Sequence, residues 1–132
     1  MKRFLFGTSI AALLTAGTAM AAVPMMKSVP RDSLTVTDWY KQPVYDRDNN
    51  KLGSVDDVLV GRSGRIDALI IGVGGFLGAG EKDIAVSFDA VRPSTKDGKL
   101  NLTLDATKDE LKSAPSLKYD KSKNTWIADS SH

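Results

Sequence analysis

The chain contains no cysteine. Disulfides, thiol nucleophiles and a lipid-modified N-terminal cysteine are therefore all excluded, and stability has to come from packing. There is one histidine, His132, at the last position. Neither a Ser-His-Asp arrangement nor a histidine-rich zinc site can be assembled from it. Paired carboxylates could act as acid and base, but no spacing selects a pair. Lysine and arginine are not clustered, which argues against nucleic acid as a partner. The apolar run from Phe4 to Met20 falls short of the roughly 20 residues that a membrane-spanning helix needs.

Lys2 and Arg3 make a short positive start. Phe4 to Met20 is apolar and uncharged but diluted by Gly7, Thr8, Ser9, Thr15, Gly17 and Thr18. Ala19-Met20-Ala21 places small residues at the two positions a signal peptidase reads. These three parts make a secretory signal cleaved after Ala21, so a periplasmic or secreted protein is expected, with no transmembrane segment after cleavage. Cleavage removes two of the 18 basic residues and leaves them level with the 16 acidic ones. The basic pI then belongs to the precursor alone. Residues 22–33 carry Pro24, Pro30, Ser28 and Ser33 without a period, and read as a flexible leader.

From Leu34 the chain is dense in β signals. Thr35-Val36-Thr37 is short and β-branched. Val44-Tyr45 starts a strand, and Asp46 to Lys51 is a polar hairpin turn. Leu52 to Val60 reads as a strand with Leu52, Ser54, Asp56 and Val58 opposed to Gly53, Val55, Asp57 and Leu59. The Asp56-Asp57 pair reads as a strand end facing solvent. Ile66 to Val73 is apolar on both faces, as in a covered central strand. Ile84, Val86 and Phe88 alternate with Ala85 and Ser87. Lys96-Asp97-Gly98-Lys99 is a turn before Leu100, Leu102 and Leu104. Thr107 to Glu110 fits a capping box and opens one short helix stopped by Pro115. Leu117 to Tyr119 and Thr125 to Ile127 make a last weak hairpin. Short strands with hairpin turns and a single late helix predict a mainly β domain, a small barrel or rolled sheet.

The densest signal is the segment 72–88, where five glycines surround Phe76 and Leu77. It fails as a dinucleotide fingerprint, because Leu77 and Asp83 stand where the third glycine belongs. It fails as a Walker loop, because Glu81-Lys82-Asp83 follows Gly80. Both motifs also need a following helix, and a strand pattern follows. The glycines instead suit a tight hairpin. Phe76 and Leu77 at its tip either fold back as a plug or form a partner contact. Trp39, Tyr40 and Trp126 carry the same two readings. Asp46, Asp48, Asn50 and Asp57 take positions 1, 3, 5 and 12 of a calcium loop. Lys51 stands where that loop needs glycine, and Asp57 is shorter than the usual glutamate. A solvated turn is the simpler reading, and calcium binding the alternative.

Four stretches resemble the PRC-barrel family in order: Val44-Tyr45-Asp46, Lys51 to Val58, Gly74 to Val86, and Leu111 to Pro115. The domain occurs in the H subunit of the photosynthetic reaction centre and, in related form, in the ribosome maturation factor RimM. The resemblance covers residues 34–115, and leaves 116–132 as a C-terminal tail. It implies a small six-stranded β-barrel with one short C-terminal helix, acting through protein contacts. The family has no fixed catalytic residues, so none is carried over, and neither enzyme activity nor a cofactor is expected. The chain looks like a stand-alone exported member: a protein-interaction or assembly module with a protein partner, a membrane-protein complex or a second copy of itself. A ligand- or cation-binding envelope protein, and a structural or stress-related one, are the alternatives.

Overall fold

The computed structural model describes Gly7 and residues 11–14, 16–74 and 80–130. It divides into two units, Met1–Arg31 and Asp32–His132. In the first, the described residues form neither helix nor strand and all are exposed. No helix among the described residues is long and apolar enough to cross a membrane.

The second unit holds one sheet. Its strands are β1 (Pro43–Tyr45), β2 (Lys51–Val60), β3 (Ile66–Val73), β4 (Lys82–Ser87), β5 (Val91–Lys96), β6 (Lys99–Leu104), β7 (Leu117–Asp120) and β8 (Thr125–Ala128). Two short helices, α1 (Val36–Trp39) and α2 (Lys108–Ser113), accompany them. The strands lie in the order β5-β6-β1-β2-β3-β4-β7-β8. All neighbours are antiparallel except β1 and β6, which pair in parallel through Val44 with Leu102 and Tyr45 with Thr103.

The expected closed barrel of six strands is thus an open sheet of eight. Closure would join the free edge of β4 to that of β5. The first is taken at Asp83 by Leu117 of β7. The second carries Pro93, which has no N–H to offer a neighbour. The sheet still rolls around one core. Trp39, Val44, Leu52, Val55, Leu69, Ile71, Val73, Ile84, Val91, Leu102, Leu104 and Leu111 form a single buried cluster drawn from both ends of the strand order.

Local chemistry explains the elements. Lys96 and Lys99 pair across a turn whose central residues, Asp97 and Gly98, have φ of 52° and 74°. Two left-handed residues match the twist of the flanking strands. Thr107 caps α2: its hydroxyl accepts from the Glu110 amide at 3.2 Å, and the Glu110 carboxylate returns to the Thr107 amide at 2.7 Å. A second capping box sits at Thr35 and Asp38 and turns Val36–Trp39 into a helix. The β-branched reading of Thr35-Val36-Thr37 is corrected there, because reciprocal capping outweighs a three-residue propensity. The turn drops Trp39 into the core, where its ring lies 5.0 Å from that of Phe88.

β3 is covered on both faces, as its composition requires. Leu69, Ile71 and Val73 join the core cluster, while Ile70, on the opposite face, is also fully buried. Truncating a fully buried leucine costs about 2–5 kcal/mol through lost transfer energy and a residual cavity. Leu69→Ala is accordingly expected to lower the unfolding free energy by that amount in urea titration. Val60→Ala, at a side chain 62% exposed, is expected to change it by less than about 0.5 kcal/mol.

Candidate binding site

Strand β2 does not alternate regularly. Val55 pairs with Ile71 and Asp57 with Ile70, so β2 advances two residues while β3 advances one. Asp56 is the extra residue of a β-bulge, which re-aims the side chains beside it. Val55 and Val58 both pack on the core. Asp57 is in register with Ile70, on the opposite face, and Asp56 reaches over Gly72 on that face. Two consecutive carboxylates therefore leave the outer side of one strand.

Each has a different partner. Asp56 Oδ1 accepts from the Lys41 ammonium at 3.1 Å. That hydrogen bond, with the charge behind it, raises the Lys41 pKa above its ordinary value. Asp57 Oδ1 accepts from the Val58 amide at 2.8 Å, and its Oδ2 accepts from the Trp126 indole N–H at 2.8 Å. Trp126 belongs to β8, beyond β3, β4 and β7 in the strand order. To reach β2 it has to lie back across the outer face, so the β7–β8 hairpin roofs that face.

Gly72 pairs with Ser54 on one side and Asp83 on the other. A side chain at this position would collide with the carboxylates of Asp56 and Glu81. Its absence lets Asp56, Glu81 and Asp83 gather above one point of β3. The Asp83 Oδ1 is buried and receives no hydrogen bond. An ionised Asp83 leaves that oxygen without a donor, whereas a protonated one supplies its own hydrogen and shares it with Asp56. Burial first, then that shared hydrogen and the charges of Asp56 and Glu81, push the Asp83 pKa up to about 7, with Lys41 opposing.

Between β4 and the hairpin lies a cleft of about 540 Å³. Glu81, Asp83, Leu117, Tyr119, Trp126 and Asp129 line it. The Tyr119 and Trp126 rings meet edge to face at 5.7 Å. Lys118 faces Asp129 at 3.9 Å, and the Lys82 ammonium donates to the Lys112 carbonyl at 2.5 Å.

A second concavity, of about 300 Å³, is apolar. Trp39, Val58, Ile66 and Phe88 line it together with Leu34, Val36 and Pro93, and Asp32 stands at its edge. Leu34 and Val36 keep 45% and 57% of their surface exposed, although each borders apolar neighbours.

The residues singled out in the sequence are distributed as follows. Phe76 and Leu77 lie outside the described residues. Asp46, Asp48 and Asn50 form one turn, in which Asp46 Oδ1 accepts from the amides of Asp48 and Asn50 at 2.9 and 2.8 Å. The Asn50 side-chain amide donates to Asp46 Oδ2 at 3.1 Å. The Asn50 amides, with that of Asp48, hold the Asp46 pKa below its ordinary value. Asp57 is six residues along β2 from Lys51, on the order of 20 Å of strand, and is bound to Trp126 instead. Among the described residues no group of three or more acidic, histidine or cysteine side chains is placed to hold a metal ion. Trp39 is core, Trp126 half-buried under its hydrogen bond, and Tyr40 53% exposed. Lys41, Glu81 and Asp83 were not singled out by sequence reasoning. Their meeting depends on the bulge at Asp56, and a strand-like pattern does not announce a bulge.

Residues 31–111, more than half of the chain, match the family described as PRC-barrel domain. No curated protein matches the chain.

The indole–carboxylate bond is a side-chain hydrogen bond between the hairpin and β2. A bond to a charged acceptor contributes about 1.5–3 kcal/mol. Trp126→Phe keeps the ring surface and removes the donor. It is expected to lower stability by about 1–3 kcal/mol in urea titration and to speed amide exchange in β7 and β8 more than in β3.

Proposed function

We propose that this chain, which belongs to the PRC-barrel family, is an exported, non-catalytic module that holds a partner protein by its apolar groove. The observation that carries this reading is the exposure of Leu34 and Val36 beside a groove floored by Trp39 and Phe88. Such a surface offers burial to one or two large apolar side chains of a partner, and burial is what anchors protein contacts. Its single ionisable lining residue is Asp32, at the edge. The lone histidine, at position 132, lies outside the described residues, and the chain has no cysteine. Export to the periplasm is supported by the signal pattern of residues 1–21.

The groove is rigidly backed. Trp39 is packed on Phe88, and Val58 and Phe88 both rest on the core. A partner side chain would therefore meet a surface already formed, which limits the ordering cost of binding. Phe76 and Leu77 remain a second contact of the same interaction module. Calcium binding at Asp46 is less well supported, since both oxygens of that carboxylate already accept turn hydrogen bonds.

A photo-crosslinker placed at position 36 in living cells is expected to give one discrete adduct, and one placed at position 123, in the β7–β8 turn, to give none. Leu34→Asp should reduce the adduct about tenfold or more, a loss of roughly 1.4 kcal/mol, while the far-UV spectrum stays unchanged. The protein recovered from the adduct should begin at Ala22. Equal adducts from positions 36 and 123 would remove the groove as the contact. An N-terminus at Met1 would remove export.

A further inference from the structure

The carboxylate cluster over Gly72 is separate from the groove and plays no part in the reading above. Its position is unusual for a structural group. Asp83 provides the single register pair between β4 and β7, with Leu117. Beyond that pair, the hairpin is tied to the rest of the sheet by the Trp126–Asp57 bond. Any charge that appears on Asp83 appears at this joint.

We propose that Asp83 is a pH-operated latch for the β7–β8 hairpin: protonated, it bonds to Asp56 and holds β7 against β4; ionised, it releases the hairpin from the outer face.

The surroundings give the latch its direction. On its own segment Asp83 is flanked by Glu81 and Lys82. From β2 it meets Asp56, with Asp57 next to it. From the residue after Tyr40 comes Lys41. The hairpin contributes Lys118, Tyr119 and Asp129 to the adjoining cleft. Of the cations, Lys41 is paired with Asp56, Lys118 with Asp129, and Lys82 is bonded to the Lys112 carbonyl of the α2 segment. Ionisation of Asp83 therefore adds a third carboxylate beside Asp56 and Glu81 while the nearest cation is already engaged. It also leaves the buried Oδ1 without a hydrogen. Both effects are relieved when water enters between β4 and β7, which is undocking of the hairpin.

The sign follows from linkage. The folded pKa of about 7 lies above the ordinary 3.8. The docked form therefore holds a proton that the open chain releases between those values. The stabilisation is complete below the ordinary aspartate range, and falls as pH rises toward 7. Above 7 it is gone. Acid closes the latch and mild alkali opens it. Opening would uncover Ile70, which is now fully buried, together with the Tyr119 and Trp126 faces of the cleft.

The test follows the Trp126 indole resonance and the Asp83 carboxyl carbon by NMR from about pH 5 to 9. Both are expected to move together with a midpoint near 7, as β7 and β8 amides lose protection. Asp83→Asn keeps a hydrogen donor and cannot ionise. In that variant the indole resonance should stay at its docked position throughout. Its Tm should exceed that of the unaltered protein by about 3 °C or more at pH 8.5, and that difference should shrink steadily as pH falls toward the ordinary aspartate range. Should Asp83→Asn fail to fold, Asp56→Asn serves instead. Removing the neighbouring charge and freeing Lys41 should lower the Asp83 midpoint by about one pH unit or more. An indole titration that survives unchanged in Asp83→Asn would overturn the proposal. So would an Asp83 midpoint in the ordinary aspartate range, or a midpoint that Asp56→Asn does not move.

Discussion

Between Val55 and Val58 the second strand carries one residue more than its neighbour accommodates. In a regular strand Asp56 and Asp57 would take opposite faces, and one carboxylate would enter the core. The bulge lets Val55 and Val58 both pack inward while Asp56 and Asp57 both leave on the outer side. The roofing hairpin and the acidic cluster both depend on that displacement. Asp57 anchors the hairpin through Trp126. Asp56 reaches over Gly72 to meet Glu81 and Asp83.

The same strand has further shifts in register. β1 meets it irregularly between Val44 and Tyr45, and β3 again between Leu59 and Val60. Bulges sharpen local twist and bend a strand. Two such irregularities on this ten-residue strand, and one on β3 at Asp67, can roll a sheet far enough for Val91 and Leu104, near its end, to share a core with Ile84. The curvature that builds the core and the re-aiming that builds the outer site thus have one structural origin. The two faces then divide the work: the inner face is apolar and supplies stability, whereas the outer face carries ionisable groups under a light cover. The groove at Leu34 and Val36 adds an apolar surface beside α1.

Much of this was legible in the sequence where local rules act alone. The Asp46 to Lys51 turn, the doubly covered β3, the Lys96 to Lys99 turn, the capping box at Thr107 and the late hairpin all follow from residue type and spacing. Three features did not. Thr35 and Asp38 form a capping box too, but Val36 between two threonines has the look of a strand. β5, with Arg92, Pro93 and exposed polar residues, has no alternation to mark it, because as an edge strand it buries Val91 alone. The bulge left the largest gap. Strict alternation along β2 sets Leu52 and Val58 opposite Val55, whereas all three pack on one core. Asp83 became a candidate only when Gly72 brought it beside Asp56 and Glu81, from segments separated in sequence. Phe76 and Leu77, the pair that the sequence marked most strongly, lie outside the described residues.

The bulge is tested most directly by cross-strand contacts between backbone protons of β2 and β3 in solution. Val55 should be opposite Ile71 and Asp57 opposite Ile70, with the Asp56 amide between them lacking a partner on β3. The indole proton of Trp126 should lie near Asp57. Regular pairing, with Asp56 opposite Ile70 and Asp57 opposite Leu69, would contradict it. One carboxylate would then point inward, and the site on the outer face would lose the constraint that forms it.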